Sequence, residues 1–303
     1  MASLYGIGRY TGRLPYFDAS NSKQMSYIQE LTNIVPKMME VIQIKSPPES
    51  WVKKYEFAHY DTGVYDHVEK FMDLDDKYIK VKGNWLQCYK FFNKFQDEIR
   101  ELYTCGEEIM KNATKVGEKM FENDDSFRLC AHLRRGDFME YNLLETREEF
   151  VGPALQYATE YIKHKLKKTN ISIIFIGDDQ NFMKTVANNL SPKHKITVLK
   201  TANRDADLCF GINYCEAMLE TSSRSTFAWW ISYLMKPDSP VFYNIVTHEP
   251  ELPYGNQDFD VFPPHWIALR LVNGVVVRER KWWHQTNNRT PFVANRTLTE
   301  WKD

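Results

Sequence analysis

The sequence lacks both an excess of charge and a long apolar run. Its 303 residues carry a formal net charge of −1, with 39 Lys and Arg against 40 Asp and Glu. A chain without a global positive field is not drawn to nucleic acid or to an anionic membrane surface, so we expect no nucleic-acid partner and only a local anion site. No run of about 18 apolar residues occurs, and therefore no segment is predicted to span a membrane.

Several catalytic signatures are absent as well. The sequence has no Walker A loop, no Gly-x-Gly-x-x-Gly motif, no Gly-x-Ser-x-Gly elbow and no His-Glu-x-x-His pair. These absences argue against P-loop NTPases, serine hydrolases of that type and zincins. None of the five cysteines forms a Cys-x-x-Cys pair, and no histidine lies at zinc spacing, so no metal site is predicted.

The cysteines and the Asn-x-Ser/Thr triplets say little about the compartment. Cys130 and Cys209 lie in apolar stretches, and we expect both to be buried thiols. Asn112, Asn170 and Asn295 are candidates for N-glycosylation and give mild support for a secretory route, whereas the other two triplets are followed by proline.

The first part of the chain, residues 1–125, is predicted to be mainly helical. A helix is predicted directly after Met1, and we therefore expect that an upstream segment is missing from this sequence. Met25 to Ile42 carries apolar residues at helical spacing, and a long helix is predicted from Trp85 through Tyr103 as far as Phe121.

From residue 127 the predicted strands alternate with helices. The predicted strands are 127–133, 171–176, 195–199, 217–220 and 240–245, and the predicted helices are 148–168, 181–189, 205–214 and 226–234. This alternation indicates βαβ units and a parallel sheet, in which ligands bind outside the carboxyl ends of the strands. Residues 126–250 are therefore predicted to form a Rossmann-like domain, followed by a closing segment over residues 251–303.

A pair of arginines follows the first of these strands, in the segment His132-Leu-Arg-Arg-Gly-Asp137. One guanidinium can fork a diphosphate, because it is planar and permanently charged. The other can pair with Asp137 and hold the turn, and we expect Gly136 to let the backbone bend tightly. The residues alone leave a second interpretation open, an ordinary pair of surface arginines on a loop.

Three further segments lie at the same predicted edge. Ser222 to Trp230 places hydroxyl residues at the start of a helix, where they either bind a phosphate or only cap the helix. Asp207 either reads a guanine N–H pair or is a first-turn charge. Gly177-Asp-Asp179 either holds a metal with a diphosphate or is a turn with solvated acids, and we favour the solvated turn.

These motifs resemble the α-1,2-fucosyltransferases of glycosyltransferase family 11, in particular their divergent nematode-like members. The resemblance extends over nearly the whole chain in the same order. Two features depart from it, since the family's Gly-x-Gly-Asn turn is absent and Arg224 replaces a small residue. The matching segments are His132–Asp137, Phe175–Asp179, Ser222–Trp230, Phe262–Ile267 and Leu86–Phe92.

The resemblance implies a GT-B-like fold of two α/β domains, with residues 1–125 on the acceptor side and the Rossmann-like sheet binding the GDP-sugar. It implies inverting, metal-independent transfer of L-fucose from GDP-β-L-fucose to a galactose-containing glycan, without a cofactor. It also implies a lumenal Golgi domain, anchored in the membrane through a segment outside this sequence.

The resemblance also implies roles for individual residues. Arg134 would stabilise the leaving phosphate and, together with Asp137, would be a catalytic residue. The general base would be Asp137, Glu140 or Glu145. A catalytically inactive GDP-sugar or glycan-binding homologue, or a fucosyltransferase of another linkage such as a protein O-fucosyltransferase, are the alternatives. The implied donor-binding residues are His132, Arg134, Arg135, Asp207, Ser225 and Thr226.

Overall fold

The computed structural model describes residues 1–58, 63–83, 85–141, 143–190, 194–246 and 258–279. The chain divides into two compact units. One contains the described residues of Met1–Ile109 and Tyr254–Pro263, and the other those of Met110–Pro253 and Pro264–Asp303. No helix in the described part combines the length and apolar character needed to cross a bilayer. The candidate Asn295 lies outside the described residues.

The first unit contains more strand than the sequence indicated. Strand β1 pairs in parallel with β2, and β3 pairs in parallel with β4, so that two small sheets lie among the helices. The strands are β1 Tyr16–Asp18, β2 Gln43–Lys45, β3 Val52–Glu56 and β4 Tyr78–Lys82. The helices are α1 Ala2–Thr11, α2 Ser22–Ile34, α3 Pro36–Val41, α4 Gln96–Leu102 and α11 Asp258–Val261.

The helix expected over Met25–Ile42 is two helices. Helix α2 ends at Ile34, and α3 begins at Pro36. A proline inside a helix removes an N–H donor and its ring clashes with the preceding turn, whereas at the first helical position it is well tolerated. The apolar spacing therefore continued across a break that Pro36 itself causes.

The long helix expected from Trp85 to Phe121 is also wrong. Trp85 and Leu86 have left-handed backbones, with φ of 61° and 51°, and two short 3-10 turns precede α4. After α4 the chain breaks again before α5 (Glu107–Met120), where the N–H of Gly106 donates to the carbonyl of Ile34 at 2.9 Å. This contact with the end of α2 stops the helix at a point that local periodicity does not mark.

The second unit is built on a seven-stranded sheet with the order β11-β10-β9-β8-β5-β6-β7. All neighbouring pairs are parallel except β10–β11. The predicted α/β class with a Rossmann-like parallel sheet is confirmed. The strands are β5 Phe127–Leu133, β6 Ile171–Gly177, β7 Ile196–Val198, β8 Ala217–Glu220, β9 Val241–Asn244, β10 Ile267–Val272 and β11 Val275–Arg278.

The hairpin of β10 and β11 was not predicted, although its sequence carries a signal. Asn273-Gly274 lies between two apolar runs, and both residues have positive φ, as a tight hairpin turn requires. The predicted helices of this unit are confirmed within a few residues. They are α7 Glu148–Lys165, α8 Gln180–Leu190, α9 Arg204–Tyr214 and α10 Thr226–Leu234, and a short helix α6 covers Gly136–Glu140.

The two faces of the sheet have different coverings, which decides what the site residues touch. Leu129, Ala131 and Leu133 belong to a buried cluster that also contains apolar residues of α7 and α8. Side chains alternate along a strand, so Cys130 and His132 project to the opposite face. There α10 packs against β8, and the His132 ring lies 5.5 Å from the ring of Phe227.

Cys130 is not a thiol but forms a disulfide with Cys215, which is the residue directly after α9. Cys209, also expected to be a thiol, is buried and disulfide-bonded as well. The first bond joins β5 to the segment that leads into its neighbour β8. The expectation failed because the apolar surroundings of Cys130 indicated burial correctly but carried no information about a partner 85 residues away.

We expect the double substitution Cys130→Ala with Cys215→Ala to lower the free energy of unfolding by about 2–4 kcal/mol. The bond closes a long loop, with a sequence separation of 85, and so constrains the unfolded chain strongly. Urea unfolding followed by tryptophan fluorescence measures the change. An unchanged midpoint and slope would contradict the assignment of this cross-link.

Candidate active site

The twin arginines lie directly after the interior strand β5, at the carboxyl edge of the sheet. The Arg134 guanidinium contacts two carboxylates, Asp137 at 2.6 Å and Asp178 at 3.1 Å. It also lies over the ring of Phe138, 5.0 Å from its centroid. Its side chain is one quarter exposed. Arg134 is therefore held in a fixed position while one side of it stays open to solvent.

Arg135 is held by the next strand. Its backbone N–H donates to Asp178 at 3.0 Å, and its Nε lies 3.8 Å from Asp179. Its guanidinium stacks on Phe182 at 4.3 Å. Asp179 also accepts hydrogen bonds from two backbone N–H groups at the start of α8, at 3.1 and 2.9 Å. Both carboxylates keep contact with solvent, as the turn interpretation expected, and in addition they position the arginines.

Gly136 is needed for a different reason than the one expected. It is not among the residues with positive φ, so the turn does not require glycine for its backbone conformation. A Cβ at this position would instead lie 2.5 Å from the carboxylate Oδ2 of Asp178. The absence of a side chain lets Asp178 reach Arg134 and Arg135.

The substitution Gly136→Ala is expected to lower turnover by about tenfold with little loss of stability. The added methyl group meets the end of a side chain rather than backbone, so Asp178 can move, but it then releases Arg134. Steady-state kinetics and thermal unfolding measure the two effects separately. Wild-type turnover in this variant would show that Asp178 does not position the arginines for catalysis.

A chain of buried hydroxyl groups fixes the backbone of the turn. The Oγ1 of Thr146 accepts from the N–H of Arg134 at 2.7 Å and contacts the Oγ1 of Thr221 at 2.7 Å. The hydroxyl of Thr221 in turn donates to the carbonyl of His132 at 2.6 Å. These two threonines escaped the sequence interpretation, since no local pattern distinguishes them from ordinary buried threonines.

His132 and Glu220 are buried side by side on the face covered by α10. They are register partners on β5 and β8, with exposed fractions of 1% and 0%. Burial, with a smaller effect of the positive charge of Arg134, lowers the pKa of His132 to about 3. Burial raises the pKa of Glu220 to about 8, and the nearby hydroxyl of Ser232 only partly offsets this. Burial therefore favours the neutral form of both side chains.

The serine-rich segment before α10 has divided roles. Ser222 donates its hydroxyl to the carbonyl of Leu144 at 2.6 Å, which anchors the segment. Ser225 is the N-cap of α10 and accepts from a backbone N–H of the first turn. Thr226, the first helical residue, is exposed. The capping alternative thus holds for Ser225, while Thr226 is exposed beside the first N–H groups of α10, which have no partner within the helix.

Asp207 lies in the first turn of α9 but does not cap it. Asn203 is the N-cap and accepts from the N–H of Ala206 at 2.9 Å. Asp207 instead accepts a hydrogen bond from the hydroxyl of Thr201 at 2.7 Å. Burial raises the pKa of Asp207, with Thr201 opposing the shift.

The remaining candidate residues are not among those that contact the guanidinium groups of Arg134 and Arg135. Glu140 ends α6 and is exposed, and Glu145 is half-buried beside Thr146. Asn112 and Asn170 are exposed. Among the described residues, no group of three or more histidine, cysteine or carboxylate side chains is arranged to hold a metal ion.

Comparison with known proteins shows the family of this chain. The family model for glycosyl transferase family 11 matches residues 24–270. The chain belongs to this family. A galactoside 2-alpha-L-fucosyltransferase of Caenorhabditis elegans is 28% identical over 290 residues, covering 91% of this chain and 76% of that protein. A second protein of that name and organism is 25% identical over 304 residues, covering 90% of this chain and 74% of its own length.

Membership in glycosyl transferase family 11 confirms the resemblance that the motifs indicated, including its nematode-like character. The chain is therefore a glycosyltransferase related to galactoside 2-alpha-L-fucosyltransferases. A solved structure of POFUT1 in complex with GDP-fucose aligns with 69% of this chain and 81% of its own at 10% identity and a TM-score of 0.35. That likeness is too weak to support a conclusion about this family 11 chain.

Proposed function

We propose that this chain transfers L-fucose from GDP-β-L-fucose to O2 of a galactoside, with inversion at the anomeric carbon. The observation that carries the proposal is the Arg134–Arg135 turn at the carboxyl end of β5, where two carboxylates hold Arg134 ready for an anion. A parallel sheet binds ligands at this edge. The names of the C. elegans relatives support fucose as the sugar and galactoside as the acceptor.

The leaving group of this reaction is GDP, whose β-phosphate gains negative charge as the bond to fucose breaks. Arg134 stabilises that charge through two parallel hydrogen bonds. A fixed donor stabilises the transition state more than the ground state when the charge develops late, which raises kcat. Arg135 and the first N–H groups of α10 add positive potential. No metal ion or other cofactor has a role in this mechanism.

An incoming diphosphate competes with the carboxylates that hold Arg134. Asp137 is the more exposed of the two, at 47% against 27% for Asp178. The diphosphate therefore displaces Asp137 and leaves Asp178 in place. Asp137, once released, is our choice for the base that accepts the proton of the acceptor hydroxyl. Glu140 and Glu145 have no comparable link to Arg134.

We assign Asp207 to the guanine base. Its carboxylate lies in the first turn of α9, which follows the carboxyl end of β7, and one of its oxygens is bound by Thr201. A carboxylate held on one side can accept the paired N–H groups of guanine on the other. Ser225 and Thr226, at the start of α10, then bind the phosphates of the donor.

A lumenal Golgi location at the membrane completes the proposal. The Cys130–Cys215 disulfide supports an oxidising compartment. The exposed Asn112 and Asn170 are compatible with N-glycosylation. Expression in a secretory cell line, followed by enzymatic removal of N-glycans, tests this with a shift in electrophoretic mobility.

A turnover assay with a donor panel and an acceptor panel tests the proposed function. We expect release of GDP from GDP-fucose, but not from GDP-mannose, when a lactose-type glycan is present, with fucose linked to O2 of galactose. Binding of GDP-fucose without turnover would favour an inactive homologue. Turnover only with a folded protein acceptor, or fucose at another hydroxyl, would favour a fucosyltransferase of another linkage.

A further inference from the structure

Glu220 is a buried carboxyl group that the proposed mechanism does not use. It ends strand β8, it is fully buried, and neither of its oxygens has a hydrogen-bond partner among the described residues. The hydroxyl of Ser232 lies nearby but donates to the carbonyl of Ala228 at 2.9 Å. A buried polar group without a partner is rare in folded proteins, so such a group calls for a specific role.

The register of the sheet brings a second unsatisfied group next to it. His132 is the register partner of Glu220, and its Nδ1 also lacks a hydrogen-bond partner in the described part of the chain. Paired residues of neighbouring strands project to the same face, and the strands lie about 4.8 Å apart. The hydrogen bond from Thr221 to the carbonyl of His132 locks the two strand ends together at this point.

The surroundings leave few other charges to act on this pair. From β5, His132 faces Glu220, and the charge of Arg134 acts on the imidazole. From β9, the register partner is the buried Tyr243. From α10 the neighbours are the hydroxyl of Ser232 and the ring of Phe227. One acid and one base are thus enclosed together, two residues before the arginine that the proposed function assigns to the diphosphate.

We propose that, when a diphosphate binds at Arg134, the Glu220 carboxyl group and the His132 imidazole come into hydrogen-bond contact and share one proton, which moves from Glu220 to His132. This inference rests on the proposed donor site. Two negative charges at Arg134 oppose its effect on the imidazole and favour an imidazolium. The O–H bond of Glu220 breaks, an N–H bond forms on His132, and no proton enters from solvent. The pair becomes imidazolium and carboxylate, which places a further positive charge beside the leaving phosphate.

The nitrogen chemical shifts of the His132 imidazole test the transfer directly in the unmodified chain. The His132→Asn variant assigns its signals among the eight histidines. At pH 7 we expect a neutral imidazole without ligand and an imidazolium at saturating GDP-fucose. An imidazole that stays neutral while GDP-fucose binds would overturn the proton transfer and leave the proposed function intact. No binding of GDP-fucose at all would contradict the proposed function and this inference with it.

The Glu220→Gln variant separates proton sharing from a structural role. Glutamine has the same shape but cannot give up a proton, so His132 must then take one from solvent. Calorimetry at pH 7 in two buffers of different ionisation enthalpy should show no proton uptake by wild type and uptake by Glu220→Gln. Since GDP-fucose itself has no group that titrates near neutral pH, uptake reports on the protein.

The variant's affinity should also depend on pH. We expect Glu220→Gln to bind GDP-fucose about tenfold or more weakly at pH 7, the size of one charge-assisted hydrogen bond, and to recover as the pH falls. Glu279→Gln, remote from the site and paired with Arg270, is the matched control and should behave as wild type. A loss that is equal at every pH, without proton uptake, would mean that Glu220 is only structural.

Discussion

Replacing Arg134 with alanine should reduce kcat/KM for GDP-fucose on the order of 100-fold or more, by analogy with the loss of one preorganised oxyanion donor. The guanidinium is held by two carboxylates at the sheet edge and is one quarter exposed to solvent. In the proposed mechanism, its loss removes the charge that meets the leaving phosphate. Arg134→Lys should restore little of the activity, because an ammonium cannot fork a phosphate.

The stability of these variants is the control for that prediction. Arg134 is partly exposed and lies after the end of β5, so thermal unfolding of Arg134→Ala should stay close to wild type. A matched substitution, Arg270→Ala, removes an arginine of β10 that pairs with Glu279. Strand β10 belongs to the same sheet but is not a neighbour of β5. We expect normal turnover from it. Normal turnover from Arg134→Ala as well would remove this residue from the mechanism.

Replacing Gly177 with alanine should lower the free energy of unfolding by about 2–3 kcal/mol and reduce turnover at the same time. A Cβ at this position would lie 2.1 Å from the carbonyl oxygen of Leu133, its register partner on β5. That oxygen belongs to the backbone, so the ends of β5 and β6 must separate. Arg134 follows Leu133 directly and would move with it.

Gly152→Ala is the matched control for Gly177→Ala. Gly152 lies in α7, and an added Cβ would meet only the end of the Leu190 side chain, at 3.1 Å. Alanine favours a helix over glycine by about 1 kcal/mol, so this variant should be as stable as wild type or more so. Chemical unfolding of both variants gives the comparison. Equal stability of Gly177→Ala and wild type would mean that the strand ends are not as closely packed as described.

Much of the second unit could be predicted because its signals are local. The apolar runs of β5 and β6 are bounded by polar turns, and Ser225 before an apolar stretch marks the start of α10 correctly. The rule that parallel sheets bind ligands at their carboxyl edge then places the arginines without any knowledge of packing. The first unit was harder, because Pro36 and the Gly106 contact interrupt otherwise helical spacing.

The features of the site that escaped prediction depend on residues far apart in sequence. Asp178 contacts Arg134 at a sequence separation of 44 residues, and Thr221 donates to the carbonyl of His132 at a separation of 89 residues. The Cys130–Cys215 bond and the burial of Glu220 are likewise set by the pairing of β5 with β8. Strand order cannot be read from local periodicity, so these partners become visible only in the folded chain.

The most direct test of the central claim is a single-turnover experiment with GDP-fucose labelled in the sugar and a lactose-type acceptor. We predict that the 303-residue chain transfers the label to O2 of galactose with inversion, at a rate that Arg134→Ala reduces by about 100-fold or more. Transfer of the label that is equally fast in Arg134→Ala, or no acceptor-dependent loss of GDP-fucose in wild type, would contradict the account.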